Sequence, residues 1–137
     1  MAVETYSLAK DGEKHLSENF KIKEFACKDG SNVVFVDSDL VTVLQKIRDH
    51  FNRSVVITSG YRTVSHNKKV GGSPKSQHLY GTAADIQVKD TPPEFVAQYA
   101  ETLLGGKGGI GLYPKKQGRA NGWVHIDVRK TRARWTM

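Results

Sequence analysis

Two segments of this chain combine the residue alternation of a β-strand with side chains that bind metal ions. The first runs from Thr82 to Val88 and carries Asp85 on the face opposite its alternating aliphatic residues. The second runs from Trp123 to Val128 and carries His125 and Asp127 on one face, with aliphatic residues on the other. Because strands hold side chains rigidly, the chain is expected to build a sheet that presents these polar groups to a cleft.

The rest of the pattern predicts two core helices and further short strands. Apolar residues recur at helical spacing between positions 38 and 51, and a second helix is expected from the prolines at 92 and 93 to about Leu104. Residues 54–58 and 110–113 are typical of strands. We therefore predict a single α+β domain, in which a small antiparallel sheet carries the metal site and two core helices flank it.

Length and composition exclude several classes of protein. At 137 residues, with 38% hydrophobic and 26% charged residues, the chain fits one soluble domain. Its single cysteine, Cys27, excludes an intrachain disulfide and a thiolate-rich zinc site. No apolar run approaches the roughly 18 residues of a membrane span. The first ten residues lack a basic segment followed by an apolar core, so we expect no signal peptide.

Positive charge is concentrated at the C-terminal end. The net charge of the chain is +7, and residues 115–137 contribute seven lysines and arginines against Asp127, a net of +6. A basic tail of this kind favours an anionic partner, namely nucleic acid, an anionic membrane or an acidic polymer such as a bacterial wall. A solvated tail that only aids solubility is the alternative.

The candidate metal ligands are His78, Asp85 and His125. Two imidazoles and a carboxylate are a ligand set of catalytic zinc, with one position left for water. Gly81 permits a tight turn between His78 and the Asp85 strand. Asp85 lies among aliphatic residues, where a metal ion or a salt bridge would remove the cost of burying an unpaired carboxylate. Zinc would lower the pKa of its water toward ~7.

Three more side chains are candidates for substrate chemistry. Asp127 is close enough to His125 to orient its imidazole or to take a proton from water, and the spacing leaves both roles open. Arg62 follows the 54–58 strand and is a candidate to bind a substrate carboxylate or a developing oxyanion, with a surface salt bridge as the alternative. Trp123 shares the face of His125 and is expected to contact the substrate.

These residues occur in three motifs whose order resembles that of a known family. The motifs are Ser-Gly-Tyr-Arg at 59–62, Ser76-x-His78-x-x-Gly81-x-Ala83-x-Asp85, and Trp-Val-His-Ile-Asp at 123–127. Together they resemble the zinc D-Ala-D-Ala carboxypeptidase family of peptidoglycan peptidases, which shares a superfamily with lysostaphin-type enzymes and the hedgehog domain. The resemblance extends from about residue 20 to residue 128.

The resemblance implies a role for each matching residue. It implies His78, Asp85 and His125 as zinc ligands and Arg62 as the contact to a substrate carboxylate or oxyanion. It also implies Ser76 as a residue that hydrogen-bonds to the substrate.

One position departs from the pattern of several branches of this family. Those branches carry a catalytic glutamate three residues before the last histidine, where this chain has Gly122. The chain resembles instead the branch with His-x-Asp, which assigns the catalytic base to Asp127.

We therefore expect a zinc peptidase, a hydrolase that cuts peptide bonds in bacterial peptidoglycan stem peptides or cross-bridges. Carboxypeptidase and endopeptidase activity both remain open. The main alternative is a non-catalytic zinc-binding module that recognises a wall peptide or a protein partner. Nucleic-acid binding through the tail is a third hypothesis, and we do not expect nucleic acid to be the partner.

The expected organisation follows from the same reading. Residues 1–18 are polar and weakly patterned and are predicted to form an N-terminal arm. Residues 19–137 are predicted to form one zinc peptidase domain with a basic C-terminal tail, acting as a monomer. Activity is expected at the bacterial cell wall, for degradation of the wall. The chain would stay cytoplasmic until it is released like a phage endolysin, or it would leave by another route.

Overall fold

A computed structural model of the protein describes residues 3–137. The strands are β1 (Val3–Ser7), β2 (His15–Ser17), β3 (Phe20–Lys21), β4 (Val33–Asp37), β5 (Val55–Ser59), β6 (Ala83–Val88), β7 (Gly109–Tyr113), β8 (Trp123–Asp127) and β9 (Ala133–Thr136). The α-helices are α1 (Leu8–Asp11), α2 (Ser38–Phe51), α3 (Val64–Lys69) and α4 (Pro93–Leu104). Two 3₁₀ turns cover Ile22–Phe25 and Gln77–Tyr80.

The main sheet has five strands in the order β5-β6-β8-β7-β9. The first three pairings are antiparallel, as predicted, whereas β7 and β9 run parallel. The two smaller sheets pair β1 with β4 and β2 with β3. The α+β class is confirmed, and a mixed rather than purely antiparallel sheet carries the site.

Helices α2 and α4 pack on the sheet as the apolar spacing predicts. Helix α2 begins after Asp37, whose carboxylate accepts a hydrogen bond from the Asp39 amide (2.8 Å), and it buries Leu40, Leu44 and Ile47. Helix α4 has Pro93 at its first position and buries Val96, Ala100 and Leu104. Both helices contribute to one core with the aliphatic rows of β6 and β8.

Residues 3–17, which lie within the predicted N-terminal arm, fold against the rest of the domain. Strand β1 pairs antiparallel with β4 along its whole length, and α1 and β2 follow it directly. Glu4 and Thr5 of β1 are exposed and polar, which contributes to the arm-like composition of this segment. Tyr6, Leu8 and Leu16 pack against the core and hold the segment in place. Residues 1–2 lie outside the described part of the chain.

Part of the predicted basic tail folds onto the domain. Residues Ala133–Thr136 form β9, at the edge of the main sheet. Arg132 and Arg134 both form ion pairs with Glu101 on α4. Hydrogen bonds from these two arginines lower the pKa of Glu101 to about 2. Ion pairing therefore fixes the tail to the domain.

None of the helices within residues 3–137 is long and apolar enough to span a membrane.

Neighbouring residues of β5 offer a matched test of the core. Ile57 is buried, whereas Val56 is 55% exposed. Truncation of Ile57 to alanine leaves a cavity, so I57A is expected to lower the free energy of unfolding by about 2–5 kcal/mol. V56A, the control, is expected to cost less than about 1 kcal/mol. Urea unfolding measures both, and equal losses would contradict the described orientation of β5.

Candidate metal centre

The pairing of β6 with β8 brings two predicted ligands together. Asp85 lies directly opposite His125 in the antiparallel register, and Asp85 Oδ1 is 3.1 Å from His125 Nδ1. His78 comes from the 3₁₀ turn before β6, and its Nε2 lies 3.3 Å from the same oxygen. The structure thus joins all three residues of the predicted ligand set.

The turn that delivers His78 depends on Gly81. This glycine has a φ of 74°, and a Cβ at its position would overlap the backbone of Phe35. Ser76 caps the turn, because its Oγ accepts a hydrogen bond from the His78 amide at 3.2 Å. The Asp37 amide donates to the Gly81 carbonyl at 2.9 Å and ties the turn to β4. The Ser76 cap and the hydrogen bond from Asp37 therefore fix the backbone of the turn that carries His78.

Each imidazole has one nitrogen engaged away from the cluster. His78 Nδ1 lies 2.8 Å from the Gly60 carbonyl, so it carries the proton and leaves Nε2 directed at Asp85. His125 Nε2 lies 2.8 Å from Asp127 Oδ2, which leaves Nδ1 directed at Asp85. This pattern, in which the far nitrogen donates to a carbonyl or carboxylate, is typical of metal-bound histidines.

The cluster fits a zinc ion. One ligand atom from each of His78, Asp85 and His125 lies within 4.8 Å of the others. That spacing suits a single ion about 2 Å from each ligand. Both imidazoles are buried, and the cluster lines one end of an open cleft of about 610 Å³. Three protein ligands beside an open cleft leave room for a substrate or water.

Hydrogen bonds inside the cluster shift the pKa values of Asp85 and His125. Burial opposes ionisation of Asp85, but hydrogen bonds from His125 and His78 outweigh it and hold the pKa of this carboxyl below its ordinary value. Burial lowers the pKa of His125, and hydrogen bonds to Asp127 and Asp85 outweigh that effect and raise it. An anionic Asp85 beside these imidazoles is the state that attracts a cation.

Asp127 lies behind His125, away from the cleft. Its side chain is fully buried, and Arg129 Nε and Nη2 donate to its two oxygens at 2.8 and 2.6 Å. The Arg129 amide adds a third contact at 3.1 Å. Burial raises the pKa of Asp127, but His125 and Arg129 outweigh it and lower the pKa overall. A Cβ at Gly109 would overlap this carboxylate.

Arg62 lies beside the cluster and is held by three acceptors. Its Nη2 is 3.4 Å from Asp85 Oδ2, its Nε donates to Ser59 Oγ at 3.0 Å, and its Nη1 donates to Asn67 Oδ1 at 3.1 Å. Asn67, which sequence reasoning missed, is buried and donates in turn to the Ser73 carbonyl at 2.8 Å. No alternation or motif marked Asn67, because its role depends on a loop contact.

Part of the cleft lining is aromatic. Trp123 lines the cleft and stacks on Tyr113, with ring centroids 4.7 Å apart. Ser76 also lines the cleft. Sequence reasoning missed Tyr113 and Trp135 as cleft residues. A tryptophan within a basic tail was the available signal, since a large aromatic residue is seldom left in a solvated segment.

The His-Asp-His cluster that lines an open cleft in this α+β domain has the ligand types and the open side of a catalytic zinc site. The model of the Peptidase M15 family matches residues 18–127. The chain therefore belongs to the Peptidase M15 family, the zinc D-Ala-D-Ala carboxypeptidase family that the three motifs resemble. No curated protein matches the chain significantly. The family assignment supports a zinc metallopeptidase.

Metal analysis tests the cluster directly. The wild-type protein is expected to bind about one zinc per chain. H78A and H125A each remove one of three ligands and should weaken zinc binding by more than the roughly 10- to 100-fold typical of residues that only orient ligands. H15A removes an exposed histidine outside the cluster and serves as the control. Equal zinc content in all four proteins would contradict this ligand set.

Proposed function

We propose that this protein is a zinc-dependent peptidase that hydrolyses peptide bonds in bacterial peptidoglycan stem peptides or cross-bridges. The buried cluster of His78, Asp85 and His125 at the end of an open cleft carries this proposal. Membership of the Peptidase M15 family supports peptide hydrolysis and a peptidoglycan substrate. The site of action is then the cell wall.

In this proposal the three ligands hold the zinc ion and the cleft holds the peptide. Bound zinc supplies Lewis-acid activation of water and of the scissile carbonyl. Arg62 presents its guanidinium beside Asp85, where it can bind a substrate carboxylate or stabilise negative charge on the carbonyl oxygen. Ser59 and Asn67 fix this guanidinium, so its position needs little reorganisation during the reaction.

The lining of the cleft suits an anionic peptide. Lys75 and Ser76 lie on the loop that borders the cleft, and Trp123 and Tyr113 form its aromatic wall. A peptide that carries carboxylates would meet positive charge from Arg62 and Lys75, while its apolar groups would lie on the aromatic stack. Ser76 Oγ already accepts from the His78 amide, which leaves its hydroxyl proton available to a substrate.

Asp127 acts in this proposal through His125 rather than on water. Both of its oxygens receive hydrogen bonds from Arg129, and one is also the partner of His125 Nε2. A fully buried carboxylate with these donors is a weak base and has no path to the cleft. It is suited to hold the tautomer and orientation of the His125 ring.

One observation favours a second candidate, a non-catalytic zinc-binding module for a wall peptide or protein partner. Among the described residues that line the cleft, Asp85 is the only carboxylate, and it is committed to the metal cluster. A general base other than a zinc ligand is therefore not presented by a side-chain carboxylate. The two candidates differ in one property, turnover of a bound peptide.

Digestion of purified peptidoglycan tests the leading candidate. Zinc-loaded wild-type protein is expected to release fragments with new peptide termini, which mass spectrometry identifies together with the bond that is cut. A chelator and the H125A substitution should each abolish the release, because both remove the metal. A wall left intact by zinc-loaded protein that still binds wall peptides would favour the binding module.

The D127A substitution separates the two roles of Asp127. If Asp127 orients His125, D127A should weaken zinc binding by about 10- to 100-fold, and activity should return largely when zinc is saturating. If Asp127 were the base, D127A would keep its zinc and lose turnover by about 100-fold or more. Chelator competition and digestion of peptidoglycan at saturating zinc measure the two quantities independently.

A further inference from the structure

The last strand of the chain reaches the metal centre through an indole. Trp135 on β9 lies against the His125 ring, with centroids 5.0 Å apart and planes tilted by 47°. Trp135 is only half-buried and lines the cleft, and it does not belong to the hydrophobic core. Its contact with a predicted zinc ligand is therefore not a by-product of core packing.

The sheet register explains how this contact spans two strands. Gly111 on β7 is the partner of His125 on β8 and also the partner of Trp135 on β9. His125 and Trp135 are thus separated by one residue without a side chain, at a distance of two strand spacings, or roughly 10 Å between backbones. A Cβ at position 111 would overlap the indole. Because Gly111 has no side chain, the indole of Trp135 can lie across β7 at this position.

Two further contacts fix the position of the indole. Trp135 Nε1 donates a hydrogen bond to the Tyr113 hydroxyl at 3.0 Å. The Arg129 guanidinium lies 5.7 Å from the centre of the indole ring, within reach of a cation–π interaction. Arg129 also donates to both oxygens of Asp127. His125 is thereby held at its Nε2 edge by Asp127 and on its side by Trp135.

We propose that Trp135 is a positioning residue that holds the His125 ring for zinc, and that Gly111 leaves the space its indole occupies. This inference rests on the proposed function, because it assigns His125 as a zinc ligand. It makes the C-terminal segment, with Arg129 and Trp135, part of the metal centre. Loss of the indole frees the imidazole to rotate about the hydrogen bond at its Nε2, so the ligand set is less preorganised.

A pair of glycine substitutions tests whether the space at Gly111 is needed, without deletion of any functional side chain. G111A should displace the indole and weaken zinc binding by about 10- to 100-fold, the effect typical of groups that orient metal ligands. G106A, at a glycine with open space around it, is the matched control and should bind zinc like the wild type. Chelator competition on the full chain measures zinc affinity.

Substitutions of the indole itself keep the proposal testable if G111A does not fold. W135A should weaken zinc binding like G111A, and W135F, which keeps an aromatic ring, should recover most of the affinity. Cobalt-loaded W135A should show a changed visible absorption spectrum, which a general loss of stability would not produce. R132A breaks an ion pair near β9 that does not touch His125, and it should leave the spectrum unchanged.

The metal-free protein separates this proposal from the proposed function. The indole ring should shift the NMR resonances of the His125 ring protons, and W135A should remove this shift while it leaves those of His78 unchanged. If wild-type protein shows this effect but does not bind zinc, the proposed function fails, and only the placement of Trp135 against the His125 ring is retained. Unchanged His125 resonances and unchanged zinc affinity in W135A would overturn the proposal.

Discussion

The burial of Asp85 between two imidazoles is the constraint on which the site depends. A carboxylate taken out of water costs several kcal/mol unless charged or hydrogen-bonding partners surround it. The partners of Asp85 are His78, His125 and Arg62, and each comes from a different element of the fold. The 3₁₀ turn before β6, strand β8 and the segment after β5 must all be in place together. A one-residue slip between β6 and β8 would turn His125 to the opposite face and leave Asp85 with fewer partners.

Asp85 and Asp127 are both buried, but their surroundings suit them to different roles. Asp85 faces the cleft, and its two oxygens are divided between imidazoles and a guanidinium, so a cation can enter among its partners. Asp127 is enclosed by His125, Arg129 and the bare surface of Gly109. Sequence spacing could not separate orientation from base catalysis for Asp127. The depth of its burial favours orientation, because a base must reach the proton that it takes.

Local patterns predicted the parts of the fold that local forces determine. The helical spacing of Leu40, Leu44 and Ile47 predicted α2, and strand alternation predicted β6 and β8, with Asp85 and His125 each opposite the aliphatic row of its own strand. The N-terminal strand and β9 were not predicted, because their stability comes from partners distant in the chain. Strand β1 depends on β4, and β9 depends on β7 and on ion pairs to Glu101. Gly111 within an apolar strand was a signal, since such a glycine often marks the close approach of another group.

The charge of the C-terminal segment has a structural explanation that its composition does not reveal. Arg132 and Arg134 share one carboxylate, Glu101, and Arg129 pairs with Asp127, so three of the seven tail cations have carboxylate partners inside the domain. The net charge of +6 for this segment already counts Asp127, so pairing with Glu101 lowers it by one charge, and the segment still offers a positive field to an anionic polymer. These arginines also hold β9 on the sheet and Trp135 beside His125. Three of the seven cations that sequence reasoning assigned to an external partner therefore have a structural role around the metal centre as well.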